Sequence, residues 1–442
     1  MRLRQRTKPE GYKLTKQERS WMFYDWANSV YATNIMAAIF PIYFAAVAQG
    51  AGQRGDQLWG YGTSLATLIV AILAPLLGAV ADFKGMKKKL LAAFIFIGTS
   101  FTLLMAITDN WRWMLVGYVV SYIGFTGANL FYDSFLTDVT TKDRMDRVST
   151  SGFALGYIGG STIAFLISIA FMLYFGMDKP IGVKIAVVIT SVWWAVFSIP
   201  ILLNVKQKHF VVADKKSYIK TTFSNIAHTF LSMVGNKGLF LFVIAYFFYI
   251  DGVNTVIHMA TVYGSTIGLN TTLMIAALLV TQIVAVPFTL LFGRLSYKVG
   301  SLRMILAAVT LYVFICVVGF YMGYSVESVS STSPDYAAAL QRSQILFFIM
   351  AFLVGTVQGG IQALSRSYFG KLIPPERSNE YYGFFDIFGK FAAVLGPFLY
   401  AFVSQKTGSS ANGIAGVSVL FFIALVILIV GRKHIKQAAV NS

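Results

Sequence analysis

Residues 20–33 read SWMFYDWANSVYAT: aromatic and small apolar side chains with an aspartate, Asp25, and an asparagine, Asn28, set among them. A carboxylate inside an apolar helix costs several kcal/mol unless it faces water or a partner, so this stretch implies something polar beside it. The pattern returns as IDGVNTVIHMAT from Ile250, where aligning Asp25 with Asp251 brings Asn28 onto Asn254, Ser29 onto Thr255 and Thr33 onto Met259. GAVADFKGMKKK from Gly78 pairs with GRLSYKVGSLR from Gly293, keeping Gly78 and Gly85 in register with Gly293 and Gly300. KDRMDRVSTSGF from Lys142 pairs more weakly with PERSNEYYGFF from Pro375. All three offsets fall at about 215 to 235 residues, which unrelated chance matches would not share. The chain is two related halves.

Composition says what kind of halves. Of 442 residues, 57% are hydrophobic and 12% charged, and the mean hydropathy is +0.67, outside the range of soluble domains. A span needs roughly 20 apolar helical residues, and only helices or closed barrels satisfy the backbone in lipid. The runs here are long and do not alternate, which predicts helices at 21–46, 57–81, 88–108, 112–136, 150–175, 181–203, 238–263, 272–293, 302–324, 344–367, 382–404 and 411–431. The expected fold is all-α and integral to the membrane: two pseudo-symmetric six-helix bundles, 21–203 and 238–431. A basic arm (1–20), a linker (204–237) and a tail (432–442) flank and join them.

The net charge of +18 could point to nucleic acid, but its placement points away from it. Of the 36 Lys and Arg, 29 fall in the arm, the tail and the loops on their side, against 6 in the opposite loops. By the positive-inside rule both termini are expected in the cytoplasm. The arm, broken by Pro9 and Gly11, does not read as a cleavable signal, so the first span is expected to be retained. In the linker Ile219, Phe223, Ile226, Phe230 and Met233 recur at helical spacing beside Lys215, Lys216 and Lys220, which predicts an amphipathic helix on the anionic inner leaflet. The Ser-rich stretch 325–341 reads as an exterior loop.

Spans three, six, nine and twelve hold no ionisable group in their apolar interiors beyond Cys316 and tyrosines, whereas charges sit in spans one, four, seven and eleven and Arg366 near the end of ten. Charged faces must turn inward, leaving every third helix peripheral, which is the plan of a rocking transporter with its site between the halves. Asp25, Asn28 and Tyr31 fall near one face of span one; Asp25 could meet solute or proton, or serve as a gate group to a loop arginine such as Arg144. Asp251, Asn254 and His258 lie near the middle of span seven, where Asp251 is the first candidate for a coupling or ammonium-binding group and His258 an assistant or a mere hydrogen-bond donor. Asn129 and Asp133 in span four, and Gln358, Gln362 and Ser365 in span ten, form polar stripes that either line the same cavity or bond helix to helix. Asp386 and Lys390, four apart, read as a pair along their own helix, with Lys390 or Arg366 as the alternative anion binder. The glycines of YIGGS (157–161), with Gly355, Gly359 and Gly360, suit close helix packing; no Gly-Lys-Ser/Thr follows, so no nucleotide cradle is read. His209, His228, His258 and His434 are isolated and Cys316 stands alone, so no metal site and no cofactor are expected.

GAVADFKGMKKK resembles the signature loop of the major facilitator superfamily, with Gly78, Asp82, Gly85, Lys87 and Lys88 in its positions between spans two and three. The resemblance implies a cytoplasmic latch in which Asp82 and Lys88 act as gating elements; the second copy has Tyr297 in the aspartate position. YDWANSVYAT with FPIYF, Asp133 in NLFYDSFL and QGGIQALSRS in span ten resemble the vacuole-effluxer-like branch, whose fungal members are implicated in moving amino acids out of the vacuole. The resemblance implies a secondary transporter in a cytoplasmic membrane, not an enzyme, exporting a small polar solute, amino acids first, with protons as a candidate driving ion and one copy of the chain sufficient. Its rivals are the same fold carrying amphipathic drugs, lipids or glycolipids, favoured by 15% aromatic content, and a membrane scaffold or receptor that moves nothing.

Overall fold

The first helix begins before its apolar run. The Thr15 hydroxyl accepts the Glu18 N–H at 3.1 Å and the Glu18 carboxylate accepts the Thr15 N–H at 2.8 Å, a reciprocal cap that fixes the start at Lys16. The computed structural model describes residues 13–176, 179–212 and 228–441, nearly all of them helical. α1 comprises two segments, Lys16–Ala38 and Phe40–Gly50, bent by 42° where Pro41, lacking an N–H, opens the second. There follow α2 (Gly55–Ala81), α3 (Met86–Ile107), α4 (Trp111–Val139), α5 (Met145–Phe175), α6 (Pro180–Asn204), α7 (Lys237–Thr266), α8 (Thr271–Val299), α9 (Ser301–Glu327), α10 (Tyr336–Leu372), α11 (Ser378–Thr407), α12 (Ser410–Val430) and a tail helix α13 (Arg432–Asn441). Among the described residues ten are long and apolar enough to cross a bilayer and bent α1 is an eleventh; the 30-residue α11 brings the helices of spanning length to twelve. The protein is a multi-pass membrane protein.

The repeats are repeats of packing. In the first half α1 packs on α5 and α6, α4 on α2 and α3, and α6 on α3 and α5; in the second, α7 packs on α11 and α12, α10 on α8 and α9, and α12 on α9 and α11. The contacts between bundles obey the same relation: α2 meets α11 as α8 meets α5, and α4 meets α11 as α10 meets α5. Helix ends outrun the apolar runs. α10 starts at Tyr336 rather than 344, α9 runs to Glu327, and the expected loop 325–341 shrinks accordingly, because apolar length marks the bilayer and not the helix. The expected linker helix falls mostly on 213–227, outside the described residues; 228–235 is helical, with Met233 buried and Phe230 exposed.

The glycines of α5 serve contact, as their spacing suggested. α1 has a π-helical stretch at Ala32–Ala38 and α5 another at Gly159–Ala164, the wider turns that often mark functional sites. A Cβ on Gly160 would lie 2.3 Å from the Val30 amide nitrogen and 2.7 Å from the Ser29 carbonyl carbon. Backbone cannot yield as a side chain can, so Gly160→Ala is expected to cost about 2 kcal/mol, read as a lower melting temperature, whereas Gly235→Ala, open on every side, leaves it unchanged.

The start of the linker is stitched to the first bundle. Gln207 Oε1 accepts the Gly85 N–H at 2.9 Å and its Nε2 donates to Ala81 O at 3.1 Å. The Val211 N–H reaches Asp82 O at 2.8 Å, and the N–H groups of Lys208 and His209 reach Asp138 Oδ1 at 2.7 and 2.9 Å.

Candidate functional site

Hydrogen bonds and ion pairs join the two bundles in those halves of the spans nearest the chain termini; that side is called the terminal face below. At their centre is one arginine. Arg366 of α10 crosses to the other bundle, where Nη1 donates to Asp133 Oδ1 at 2.9 Å, Nη2 to Asp25 Oδ2 at 3.2 Å and to Ser149 O at 3.2 Å, and Nε to Ser149 Oγ at 3.0 Å. Its guanidinium lies 4.7 Å from the Trp21 ring centre and 4.5 Å from that of Phe153, stacking that also stabilises a cation. The planar fork serves two carboxylates and a backbone carbonyl together, which an ammonium could not. Tyr132 OH donates to Asp25 Oδ2 at 2.7 Å, Trp21 Nε1 to Tyr132 O at 2.7 Å, and Tyr382 OH to Arg366 O at 2.8 Å. A Cβ on Gly152 would lie 2.5 Å from Asp25 Oδ2, so the glycine makes the carboxylate's place.

Exposure orders the triad. The Arg366 and Asp25 side chains are 6% and 11% exposed and Asp133 32%, so Asp133 is the least buried member. One turn further along, Asn28 Nδ2 donates to Asn129 Oδ1 at 2.6 Å, with Gln362 half-buried; beyond that, Tyr31 OH shares a proton with Ser121 Oγ at 2.7 Å. Asp386 is half-buried and stands near enough to Asp133 and Tyr246 to interact with both. The side chain of Lys390 lies outside the described residues, and so does its expected pairing with Asp386.

α7 divides the expected trio. Gly252 packs on Phe421 of α12, Val256, Ile257 and Ala260 line a hollow shared with α8 and α10, and Asp251 and Thr255 lie against Gly396 of α11. On the same helix Asn254 is half-buried and His258 exposed. Asp251 is wholly buried at the α7–α11 seam, away from the arginine. Asp251 and Asn254, about 60° apart around the helix, thus differ in burial. Gln358 is buried beside Tyr157, and Ser365 is bound to Tyr249 within its own bundle at 2.6 Å.

The loop between α2 and α3, expected as a latch, meets the start of α11. Asp82 Oδ1 accepts the Asn379 N–H at 3.0 Å and Nδ2 at 2.7 Å, and Oδ2 the Glu380 N–H at 3.0 Å, a carboxylate set on the N-terminus of α11. Gly78 permits the approach: its Cβ would lie 2.5 Å from Asn379 O. Gly85, at φ 75°, adopts the left-handed turn before α3. Lys87, not Lys88, is the buried cation: its Nζ meets Asp138 Oδ2 at 2.7 Å and Ser378 Oγ at 3.0 Å, while Lys88 remains half-buried at the surface. Arg144 does not reach Asp25; it pairs with Glu18 at 2.6 Å, because Arg366 already occupies the aspartate. Where the second copy has Tyr297, the acid comes from the other partner: Asp146 at the start of α5 accepts Ser301 Oγ at 2.5 Å and Ser367 Oγ at 2.6 Å and pairs with Lys371 at 2.6 Å. Asp138, Asp146, Glu18 and Lys371 were not singled out from the sequence, although Thr15-x-x-Glu18 has the spacing of a helix cap.

Burial pushes the Asp82 carboxyl up to about 6 from 3.8, against the pull of Lys87 and the α11 amides. The closed face therefore holds a proton that a hydrated, opened Asp82 releases. Closure gains from this below pH 4 and loses the gain as pH rises through about 6, by at most about 3 kcal/mol. Spin labels on Lys84→Cys and Glu376→Cys are expected to move apart between pH 5 and 7, and Asp82→Asn to remove that dependence.

With the geometry in hand, likeness to known proteins is informative. Residues 57–439 match the family described as "Vacuole effluxer Atg22 like". The chain is 41% identical over 426 residues to the MFS-type transporter YxiO of Bacillus subtilis (strain 168), covering 94% of this chain and 95% of that protein. It is 23% identical over 328 residues to autophagy-related protein 22 of Cryptococcus neoformans, covering 71% of this chain and 53% of that protein, so it spans about half the length of that relative. In fold it is similar to a bacterial homologue of the iron transporter ferroportin in its outward-facing state, with TM-score 0.69 at 10% identity over 95% of this chain and 98% of that one. The fucose transporter FucP in its outward conformation gives TM-score 0.65 at 12% identity over 94% and 98%.

Proposed function

The chain belongs to the Atg22-like vacuole effluxer family, transporters of the major facilitator superfamily and not enzymes, and from that premise we propose that it exports a small zwitterionic solute, amino acids first, driven by protons. The proposal places the terminal face in the cytoplasm of a cell bounded by this inner membrane, from the excess of Lys and Arg there, with a single copy acting alone in the bilayer.

The observation that carries the reading is the arginine triad. Two carboxylates on one guanidinium leave one negative charge over, with Asp133 the exposed member. A solute carboxylate can take the Asp133 place on Arg366 by the same forked bonds, while the freed Asp133, or Asp25, accepts either a proton or the solute ammonium. Asn28, Asn129, Asn254 and Gln362 supply neutral bonds along the walls. Since Arg366 also joins the bundles, displacing its partners loosens the closed face, which ties binding to opening.

The test is counterflow in proteoliposomes with a panel of labelled amino acids, with and without an imposed pH gradient. Saturable exchange of amino acids, accelerated by the gradient, is expected. Exchange of lipids or amphipathic cations alone would replace the cargo, and flux of nothing on the panel would return the scaffold reading.

A further inference from the structure

Asp251 is 0% exposed and meets no cation among the described residues; the Thr255 hydroxyl and the Leu395 and Gly396 backbone stand beside its carboxylate, without well-formed hydrogen bonds. Three poorly satisfied buried oxygens in a single place are uncommon and call for an explanation. Among the described residues no opposing charge is at hand; His258, seven residues further along α7, is exposed. α12 has no ionisable side chain over Ser410–Val430. Arg366 of α10 is committed to Asp25 and Asp133 in the other bundle, and Asp386 of α11 stands toward Asp133 and Tyr246. The side chain of Lys390 lies outside the described residues.

The opposite wall is shaped for the acid. A Cβ on Gly396 would lie 2.0 Å from Thr255 Oγ1 and 2.9 Å from Asp251 Oδ1, so only glycine leaves these groups their room. Pro397 follows inside α11; without an N–H it breaks the helical ladder at this level and makes α11 able to bend there. An ionised carboxylate with no cation costs several kcal/mol in such a place, while a neutral carboxyl costs far less.

We propose that Asp251, Thr255 and Gly396 form a proton-binding site at the α7–α11 seam, distinct from the arginine triad, which exchanges its proton when α11 bends at Gly396–Pro397 and admits water. The carboxylate takes a proton from the medium on the side away from the termini and gives it to water on the terminal side; nothing else is transferred. The triad then binds solute and the seam carries the driving ion. This rests on the proton-driven reading above and names where that proton rides.

Two measurements separate the two ideas. In infrared difference spectra of the protein in liposomes, stepped in pH, the wild type is expected to show the carbonyl stretch of a protonated carboxylic acid that disappears in Asp251→Asn and is shifted or lost in Gly396→Ala. In the same liposomes Asp251→Asn is expected to lose gradient-driven uptake of labelled amino acid while keeping counterflow without a gradient, which also shows that it folds. A difference spectrum that loses no component of the band in Asp251→Asn overturns the site. So does unaltered driven uptake in that variant, or driven uptake that follows sodium at fixed pH. A wild type that shows the band and loses it in Asp251→Asn, yet has no gradient-driven flux, supports the proton site and defeats the proton-driven transport reading instead.

Discussion

Arg366→Ala is expected to reduce counterflow by at least about 100-fold, the consequence of removing the cation from two carboxylates that are packed for it. Breaking a buried pair by deleting one partner costs about 3 to 5 kcal/mol, because the remaining charge is stranded, and here two are stranded on the α1 and α4 side. Arg366→Lys is expected to recover little of the flux. A single ammonium at the end of a flexible stem cannot reach Asp25, Asp133 and both oxygens of Ser149 at the distances the fork attains. Asp133→Asn should be milder than Asp25→Asn, since the Asp133 side chain is 32% exposed and Asp25 11%. Labelled-solute exchange with each variant, with reconstitution checked by melting temperature, reads all four. Counterflow in Arg366→Ala within about three-fold of wild type would remove the arginine from the transport path.

The largest loss of stability is expected from Asp138→Ala. Its carboxylate and Lys87 Nζ, 2.7 Å apart, are both 0% exposed, and the same carboxylate accepts the Lys208 and His209 amides. The variant strands a buried ammonium and two linker donors, for about 3 to 5 kcal/mol, seen as a large fall in melting temperature. Lys87→Met in the same chain removes the stranded charge and is expected to restore more than half of the loss. No restoration would show that the linker amides, and not the ion pair, were the main debt.

How much of this was written in the sequence depends on whether the relevant signal is periodic or contextual. Twelve helices and two halves were legible because apolar length and the repeated Asp-x-x-Asn, Gly78/Gly293 and Gly85/Gly300 spacings are properties of the chain itself. The meeting of Asp25 with Asp133 and of both with Arg366 was not, since residues 341 apart in sequence reveal their pairing only once the bundles are docked. Arg144 was the natural local guess for Asp25, and its capture by Glu18 follows from a cap that begins five residues before the apolar run. Lys87 and Lys88 are adjacent, and only the phase of α3 decides that the former turns inward. Asp251 and His258 lie nearly in phase on α7, yet one is buried and the other exposed, because depth and neighbouring helices, and not helical phase, decide their surroundings.

The exchange of the acid between the two halves of the latch bears on why there is one long chain rather than two short ones. Two copies of the first half, docked by the same pseudo-dyad, would bring Asp82 of one toward Asp146 of the other, carboxylate against carboxylate at both edges. Two copies of the second would oppose Tyr297 to Asn379, with no charge to hold them. Only unlike halves complete the closure, so after duplication each half lost the means to assemble with itself, and tethering them became part of how the molecule chooses its partner.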